Sequence, residues 1–133
     1  MKGLPGIPGS FFKIMKTIFV VDDSDTNLLK AGEALEDRYR ILTMPSAAKM
    51  FTLLEKMTPD LILLDIEMPE MNGFEAIQRL KSPDSPTKNI PVIFLTGHSD
   101  AATQTQGREL GALDFVAKPF TAPELLDCVG RYV

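Results

Sequence analysis

The sequence has little of the material from which disulfides, zinc sites and membrane spans are built. Its 133 residues include one cysteine, one histidine and no tryptophan. Cys128 cannot form an internal disulfide, and zinc sites need clusters of cysteine and histidine, so we expect Cys128 to be a packing residue. The uninterrupted apolar runs, such as 18–21 and 61–64, are far shorter than the roughly 20 residues that span a bilayer. These absences predict a cytoplasmic protein without a membrane span.

The chain is also poor in basic charge outside its first residues. Lys2, Lys13 and Lys16 have no acidic neighbour among the first sixteen residues, whereas the remainder holds eleven basic and eighteen acidic residues, a net charge of −7. Nucleic-acid binding needs a basic face that contacts phosphates. We therefore expect no direct binding of nucleic acid by this chain.

Residues 1–15 differ in pattern from the rest of the sequence. Glycine and proline punctuate this stretch without any apolar periodicity, which favours a flexible N-terminal extension. A remnant of an expression vector would explain it, with Met15 as the natural start. The whole chain is 44% hydrophobic and 24% charged, which is typical of one globular domain, and we assign that domain to residues 16–133.

Within this domain, short apolar runs alternate with longer amphipathic segments. The runs predict five strands at 17–21, 40–44, 61–64, 90–95 and 114–117. Helices with apolar residues three and four apart follow them, with caps at Ser24 or Asp25, at Ser46 and at a capping box that starts at Thr121. The fourth helix has few large apolar residues and should be the least firmly packed. Alternating strands and helices predict an α/β fold with a parallel sheet and right-handed crossovers.

Unusual polar residues stand where the predicted strands end. Strand one is followed by Asp22 and Asp23, strand three by Asp65, strand four by Thr96 and strand five by Lys118. Ligands of an open parallel sheet bind outside the carboxyl ends of its strands. With the strand order 2-1-3-4-5, the three aspartates converge, and the threonine and lysine approach from one side. Each residue alone has a structural explanation, such as a helix cap, but their joint placement favours a functional site.

The charge of this predicted cluster indicates its chemistry. Three carboxylates and one ammonium leave a net charge of −2, which a divalent cation would neutralise. Oxygen ligands without histidine or cysteine favour a hard cation, and Mg²⁺ is the leading candidate. A cation, a lysine and a hydroxyl around one carboxylate suit attack by that carboxylate on phosphorus, which yields an acyl phosphate. Asp65 is the expected nucleophile because it lies between the metal side and the side of Thr96 and Lys118.

Four motifs carry a family resemblance over about 16–133. VVDDSD, LLDIEMPEMNG, PVIFLTG and FVAKPF, in that order and spacing, resemble the receiver domain of response regulators in two-component signalling. The resemblance implies a flavodoxin-like three-layer sandwich with a five-stranded parallel sheet of order 2-1-3-4-5 and five helices. It also implies that Asp65 accepts a phosphoryl group from a sensor histidine kinase or a phosphotransfer protein.

The same resemblance assigns roles to the other site residues. The ligands of Mg²⁺ would be the carboxylates of Asp22, Asp23 and Asp65 and the backbone carbonyl of Glu67. Thr96 and Lys118 would bind the phosphoryl group, and the bond between Lys118 and Pro119 would be cis, which is otherwise uncommon.

A conformational switch is a further implication of the resemblance. Thr96 moves toward the phosphoryl group, the ring of Phe115 turns inward, and the face of helix four, strand five and helix five changes. That face would act on a downstream output domain or protein partner, or form a homodimer, and the chain would be a single-domain regulator or part of a longer protein. Glu67 and His98 occupy positions that affect how long the phosphoryl group persists. Glu67 would orient water or repel it, and His98 would be a base or a solvated loop residue.

Three other functions compete with this interpretation. A haloacid-dehalogenase-like phosphatase also uses an aspartyl nucleophile with Mg²⁺, but its nucleophile follows the first strand, whereas Asp65 follows the third. A dinucleotide-binding domain would show G-x-G-x-x-G after the first strand, where this chain has none. A binding module that has lost phosphorylation would work through protein contacts alone, and the sequence leaves this alternative open.

Overall fold

The computed structural model describes residues 15–133, so the predicted N-terminal extension lies almost entirely outside the described residues. Five strands alternate with five helices in this range. The strands are β1 (Thr17–Val21), β2 (Arg40–Met44), β3 (Leu61–Asp65), β4 (Val92–Thr96) and β5 (Asp114–Ala117). The helices are α1 (Asp25–Leu35), α2 (Ala47–Leu54), α3 (Gly73–Leu80), α4 (Ala101–Glu109) and α5 (Ala122–Gly130). Within 15–133, no helix combines the length and apolar content needed to cross a bilayer.

All five strands run parallel in one sheet of order β2-β1-β3-β4-β5, which confirms the predicted topology. Val21 at the end of β1 pairs with Leu64, and Asp65 at the end of β3 pairs with Leu95. Thr96 follows Leu95 as the last residue of β4. The carboxyl ends of the central strands therefore meet at one edge, and the polar residues after them share that edge.

Helices cover both faces of the sheet and make it the middle of three layers. Ile18 and Val20 of β1 pack in a core with α1 and α5, whereas Phe19 and Val21 point to the other face and pack with α2 and α3. Every residue of β1, β3 and β4 is buried, which is why these strands are nearly continuous in apolar residues. Gly107 is the one buried residue of α4, as expected for the least firmly packed helix.

Side-chain caps start the helices where the sequence predicts them. Ser24 accepts the backbone N–H of Asn27, which decides between the two caps considered for α1. Ser46 caps α2, and Thr121 forms a capping box with Glu124 at the start of α5. The caps place the N-termini of the helices directly after the strands and so keep the loops at the site edge short.

Strand β4 begins at Val92, two residues later than predicted. The N–H of Ile90 donates to the carbonyl of Thr87 at 3.1 Å and so belongs to the preceding turn. Pro91 has no N–H to donate to a neighbouring strand, although its carbonyl accepts from Ile62. An apolar residue before a proline can therefore look like part of a strand in the sequence without joining the ladder.

Candidate functional site

Asp22, Asp23 and Asp65 converge at the carboxyl ends of β1 and β3. One oxygen of each carboxylate lies within 4.8 Å of the others. Asp22 and Asp65 have no exposed surface, whereas Asp23 is exposed. The Asp22 carboxylate accepts the backbone N–H of Ser24 at 2.9 Å and the side-chain amide of Asn27 at 3.4 Å. The first turn of α1 therefore fixes Asp22, and Asn27 is a site neighbour that the sequence analysis missed.

Lys118, which follows β5, brings an ammonium group to two of these carboxylates. Its Nζ donates to Asp65 Oδ1 at 2.9 Å and to Asp22 Oδ2 at 3.3 Å, and its side chain is 17% exposed. Burial opposes the charge on Lys118, but the hydrogen bond to Asp65 and the charge of Asp22 hold its pKa above the ordinary value. Lys118 is therefore a permanent cation at neutral pH. The peptide bond between Lys118 and Pro119 is cis.

One oxygen of the Asp65 carboxylate accepts hydrogen bonds, and the other accepts none from the described residues. Oδ1 accepts from Lys118 and from the backbone N–H of Glu67 at 3.1 Å, whereas the buried Oδ2 has no hydrogen-bond partner in residues 15–133. Burial raises the pKa of Asp65 to about 6, with the hydrogen bond from Lys118 opposing the rise and the charge of Asp22 adding to it. A buried carboxylate oxygen without a partner is rare in folded proteins and indicates a place for a ligand.

The donor set fits a hard divalent cation. Three carboxylates with converging oxygens, one of which has no hydrogen-bond partner in the described residues, leave the site short of positive charge even with Lys118 present. Carboxylate oxygens are the ligands that Mg²⁺ and Ca²⁺ prefer in proteins. The cluster of Asp22, Asp23 and Asp65 could therefore bind a metal ion.

Stability of the metal-free protein should fall as the pH rises from 3.8 to about 6. The unfolded chain loses the Asp65 proton near pH 3.8, whereas the folded protein keeps it until about pH 6. Because the folded state binds more protons in this window, the free energy of unfolding decreases with pH. Relative to Asp65→Asn, we expect a loss of about 1–3 kcal/mol in urea unfolding with EDTA present. Parallel pH curves for the two proteins would contradict the raised pKa.

Thr96 lies at the same edge, but its hydroxyl bonds to the loop that follows β4. The side chain has no exposed surface. Its Oγ1 donates to the carbonyl of His98 at 2.9 Å and accepts the N–H of His98 at 2.8 Å. The Thr96 carbonyl accepts the N–H of Lys118 at 2.8 Å, and this bond fixes the distance between the backbones of the two residues. The structure thus brings Thr96 to the predicted edge without a hydrogen bond from its hydroxyl to Asp65.

Glu67 and His98 meet above the site in a contact that the sequence analysis did not anticipate. His98 Nε2 lies 3.0 Å from Glu67 Oε2, and their side chains are 69% and 49% exposed. The two residues come from different loops, after β3 and after β4. Sequence spacing alone gives no signal for such a pair, because it depends on how the two loops lean toward each other.

Comparison with known proteins identifies the family. A family model described as the response regulator receiver domain matches residues 18–130. The chain belongs to this family. The receiver domain is 44% identical over 109 residues to a probable cyclic di-GMP phosphodiesterase of Vibrio cholerae, a match that covers 82% of this chain and 24% of that protein. The chain therefore spans about a quarter of the length of that relative.

Solved receiver structures share the fold. The chemotaxis response regulator CheY4 of Vibrio cholerae superposes with a TM-score of 0.83 at 27% identity, covering 90% of this chain and 99% of CheY4. The BeF3-activated receiver domain of DrrB, a Thermotoga maritima protein, gives a TM-score of 0.76 at 32% identity, covering 90% and 97% of the two chains. The flavodoxin-like fold and the place of this chain in two-component signalling, both predicted from the motifs, are confirmed.

In the receiver domain, Phe115 packs against α4 at the point where that helix has a glycine. Its ring centroid lies 5.7 Å from that of Phe94, and the guanidinium of Arg108 lies 5.4 Å above the ring. A Cβ built on Gly107 would lie 2.5 Å from the Phe115 ring. The absence of a side chain at 107 therefore lets the half-buried ring approach α4 closely, and Phe115 links β5 to α4.

Asp114 ties together the face formed by α4, β5 and α5. Its carboxylate accepts from the Tyr132 hydroxyl at 3.0 Å and lies 3.4 Å from Arg131 and 3.9 Å from Arg108. Cys128 Sγ lies 3.7 Å from the same carboxylate, and burial together with Asp114 raises the pKa of this thiol to about 11. A buried thiol that stays protonated suits the predicted packing role of Cys128.

Proposed function

We propose that this receiver domain accepts a phosphoryl group on Asp65 from the phosphohistidine of a sensor histidine kinase or a phosphotransfer protein. The observation that supports this most is the asymmetry of the Asp65 carboxylate. Lys118 and the backbone N–H of Glu67 hold Oδ1, whereas Oδ2 is buried without a partner in the described residues. One oxygen is oriented by donors, and the other is free to form a bond to phosphorus.

The proposed transfer is a single displacement at phosphorus. An Asp65 oxygen forms the new O–P bond as the P–N bond to the donor imidazole breaks, and the imidazole nitrogen keeps that electron pair. The Lys118 ammonium stabilises negative charge on the phosphoryl oxygens. Mg²⁺, held by Asp22, Asp23 and Asp65 and by the backbone carbonyl of Glu67, would supply further positive charge. Water later cleaves the acyl phosphate, so the domain's own chemistry is self-phosphorylation and self-dephosphorylation.

Phosphorylation would change the conformation of the face formed by α4, β5 and α5. Thr96 would rotate its hydroxyl toward a phosphoryl oxygen, and Phe115 would follow because its ring packs on Gly107 and Phe94. The altered face would then control an output domain or a protein partner, or pair with a second copy in a homodimer. We place this signalling in the cytoplasm and expect no direct contact of the domain with nucleic acid.

Intact mass spectrometry tests the phosphoacceptor directly. After incubation with Mg²⁺ and acetyl phosphate, the protein should gain one phosphoryl group, because the folded site holds Asp65 with one free oxygen beside Lys118 and the proposed Mg²⁺ ligands. Asp65→Asn should gain none, and EDTA should prevent the gain in the parent protein. Asp84→Asn is a matched control, because Asp84 is an exposed aspartate in the loop before β4 and lies away from the site edge.

The outcomes separate the proposed function from its competitors. No mass gain in the parent would overturn the phosphoacceptor role and favour a binding module that works without phosphorylation. A gain that persists in Asp65→Asn would move the acceptor to another residue. A haloacid-dehalogenase-like phosphatase is disfavoured by the family match and by the place of Asp65 after β3 rather than β1.

A further inference from the structure

The loops after β3 and β4 are connected by a chain of contacts beside the proposed phosphorylation site. The Glu67 N–H donates to Asp65 Oδ1 at 3.1 Å, and the Glu67 carboxylate lies 3.0 Å from His98 Nε2. The backbone of His98 in turn holds the Thr96 hydroxyl by two hydrogen bonds. The contacts therefore connect the Asp65 carboxylate on β3 to the Thr96 hydroxyl on the adjacent strand β4.

These contacts keep the Thr96 hydroxyl bonded to the backbone of His98 and not to Asp65. A hydroxyl has one proton to donate, and in this structure that proton goes to the carbonyl of His98. To donate to a phosphoryl oxygen on Asp65, Thr96 has to give up this bond, and the loop that carries His98 has to rearrange. Because the His98 side chain is tied to Glu67 on the opposite loop, the rearrangement is opposed by a contact outside Thr96 itself.

We propose that the contact between the Glu67 carboxylate and the His98 imidazole is a latch that holds the loop after β4 in its resting arrangement, which makes His98 a positioning residue that opposes phosphoryl binding. The inference rests on the proposed function of Asp65. A phosphoryl group would add negative charge two residues before Glu67 and repel its carboxylate, so phosphorylation itself would weaken the latch. The resting state of this receiver is then stabilised by a pair of side chains other than those of Asp65 and Thr96.

Beryllofluoride binding measures the latch without the complication of hydrolysis, because this anion occupies the phosphoryl position without being transferred. At saturating Mg²⁺, His98→Ala should bind beryllofluoride about two- to fivefold more tightly than the parent, the range that breaking one partly exposed pair can supply. His98→Gln should bind like the parent, because its amide can keep the contact by donating to Glu67. Ser99→Ala, at the exposed neighbour of His98, serves as the matched control and should also bind like the parent.

A double-mutant cycle assigns the effect to the pair. Glu67→Ala removes the carboxylate and with it a charge near the phosphoryl site, so the test compares His98→Ala in the parent with His98→Ala in Glu67→Ala. We expect tighter binding only in the parent background. Unchanged or weaker binding by His98→Ala, or an equal effect in both backgrounds, would overturn the latch.

The same titration separates this inference from the proposed function. If the parent protein binds no beryllofluoride and gains no phosphoryl group from acetyl phosphate, the role of Asp65 fails and the latch fails with it. If the parent binds beryllofluoride and His98→Ala binds with the parent's affinity, the latch fails and the role of Asp65 stands. Thermal unfolding of each variant shows whether a change in binding accompanies a change in stability. Because a latch stabilises the resting folded protein, the tighter binding of His98→Ala should come with a fall of a few degrees at most in the melting temperature.

Discussion

Replacing Lys118 with alanine should destabilise the metal-free receiver domain at neutral pH by about 3 kcal/mol, because it leaves two buried carboxylates without their cation. Asp22 and Asp65 have no exposed surface, and the Lys118 ammonium lies 3.3 and 2.9 Å from them. Without it, the Asp65 pKa rises further, and the folded protein has to take up a proton or bear the repulsion.

The pH dependence of this loss has a defined sign. A carboxylate whose pKa is raised by folding favours the folded state at low pH and disfavours it as the pH rises through the folded pKa. The destabilisation by Lys118→Ala should therefore be larger at pH 7.5 than at pH 5, where Asp65 with its pKa of about 6 is already largely protonated in the parent. A constant loss across this range would point to lost packing rather than to charge.

Two companion variants make the Lys118 experiment specific. Asp65→Asn combined with Lys118→Ala should recover much of the stability, because the amide removes one of the two buried charges. Lys49→Ala removes an exposed lysine of α2 and should change the free energy of unfolding little. Urea unfolding in EDTA measures all four proteins. Failure of the double variant to recover stability would show that the buried charges are not the cause.

The charge cluster around Lys118 is the part of the site that sequence reasoning predicts best. Apolar runs and caps are local, so they place Asp22, Asp65 and Lys118 each at the end of a strand. The parallel sheet then brings these ends to one edge whatever the details of packing. The convergence of the three aspartates is confirmed for this reason, and the sheet order, which the family resemblance implies, is confirmed as well.

Contacts between loops are what the sequence could not predict. Three contacts depend on side-chain rotamers and on how neighbouring loops approach: that of Glu67 with His98, that of the Thr96 hydroxyl with its turn, and that of Asn27 with Asp22. No hydrophobic period or capping pattern encodes them. The late start of β4 has a similar origin, since the turn hydrogen bond that Ile90 donates to Thr87 outweighs its strand propensity.

Gly73→Ala should have the other large effect, a destabilisation of about 3 kcal/mol with reduced phosphorylation of Asp65. Gly73 is the first residue of α3, and its N–H donates to the carbonyl of Ile66 at 2.7 Å. A Cβ at this position would lie 2.5 Å from the backbone oxygen of Asp65 and 2.7 Å from the Cα of Ile66. Backbone atoms inside a sheet cannot turn aside as a flexible side chain can, so α3 or the end of β3 has to shift.

Gly32→Ala in α1 isolates the cause of that loss. Both substitutions reduce the freedom of the unfolded chain equally, but a Cβ on Gly32 would meet no atom within 4 Å. Gly32→Ala should therefore raise the free energy of unfolding by about 0.5–1 kcal/mol, since alanine is the better helix former. Opposite signs for the two variants in urea unfolding would locate the defect of Gly73→Ala in the folded state. A stabilised Gly73→Ala would mean that α3 is free to move away from the backbone of Asp65, and that the close approach of α3 does not position the proposed phosphoacceptor.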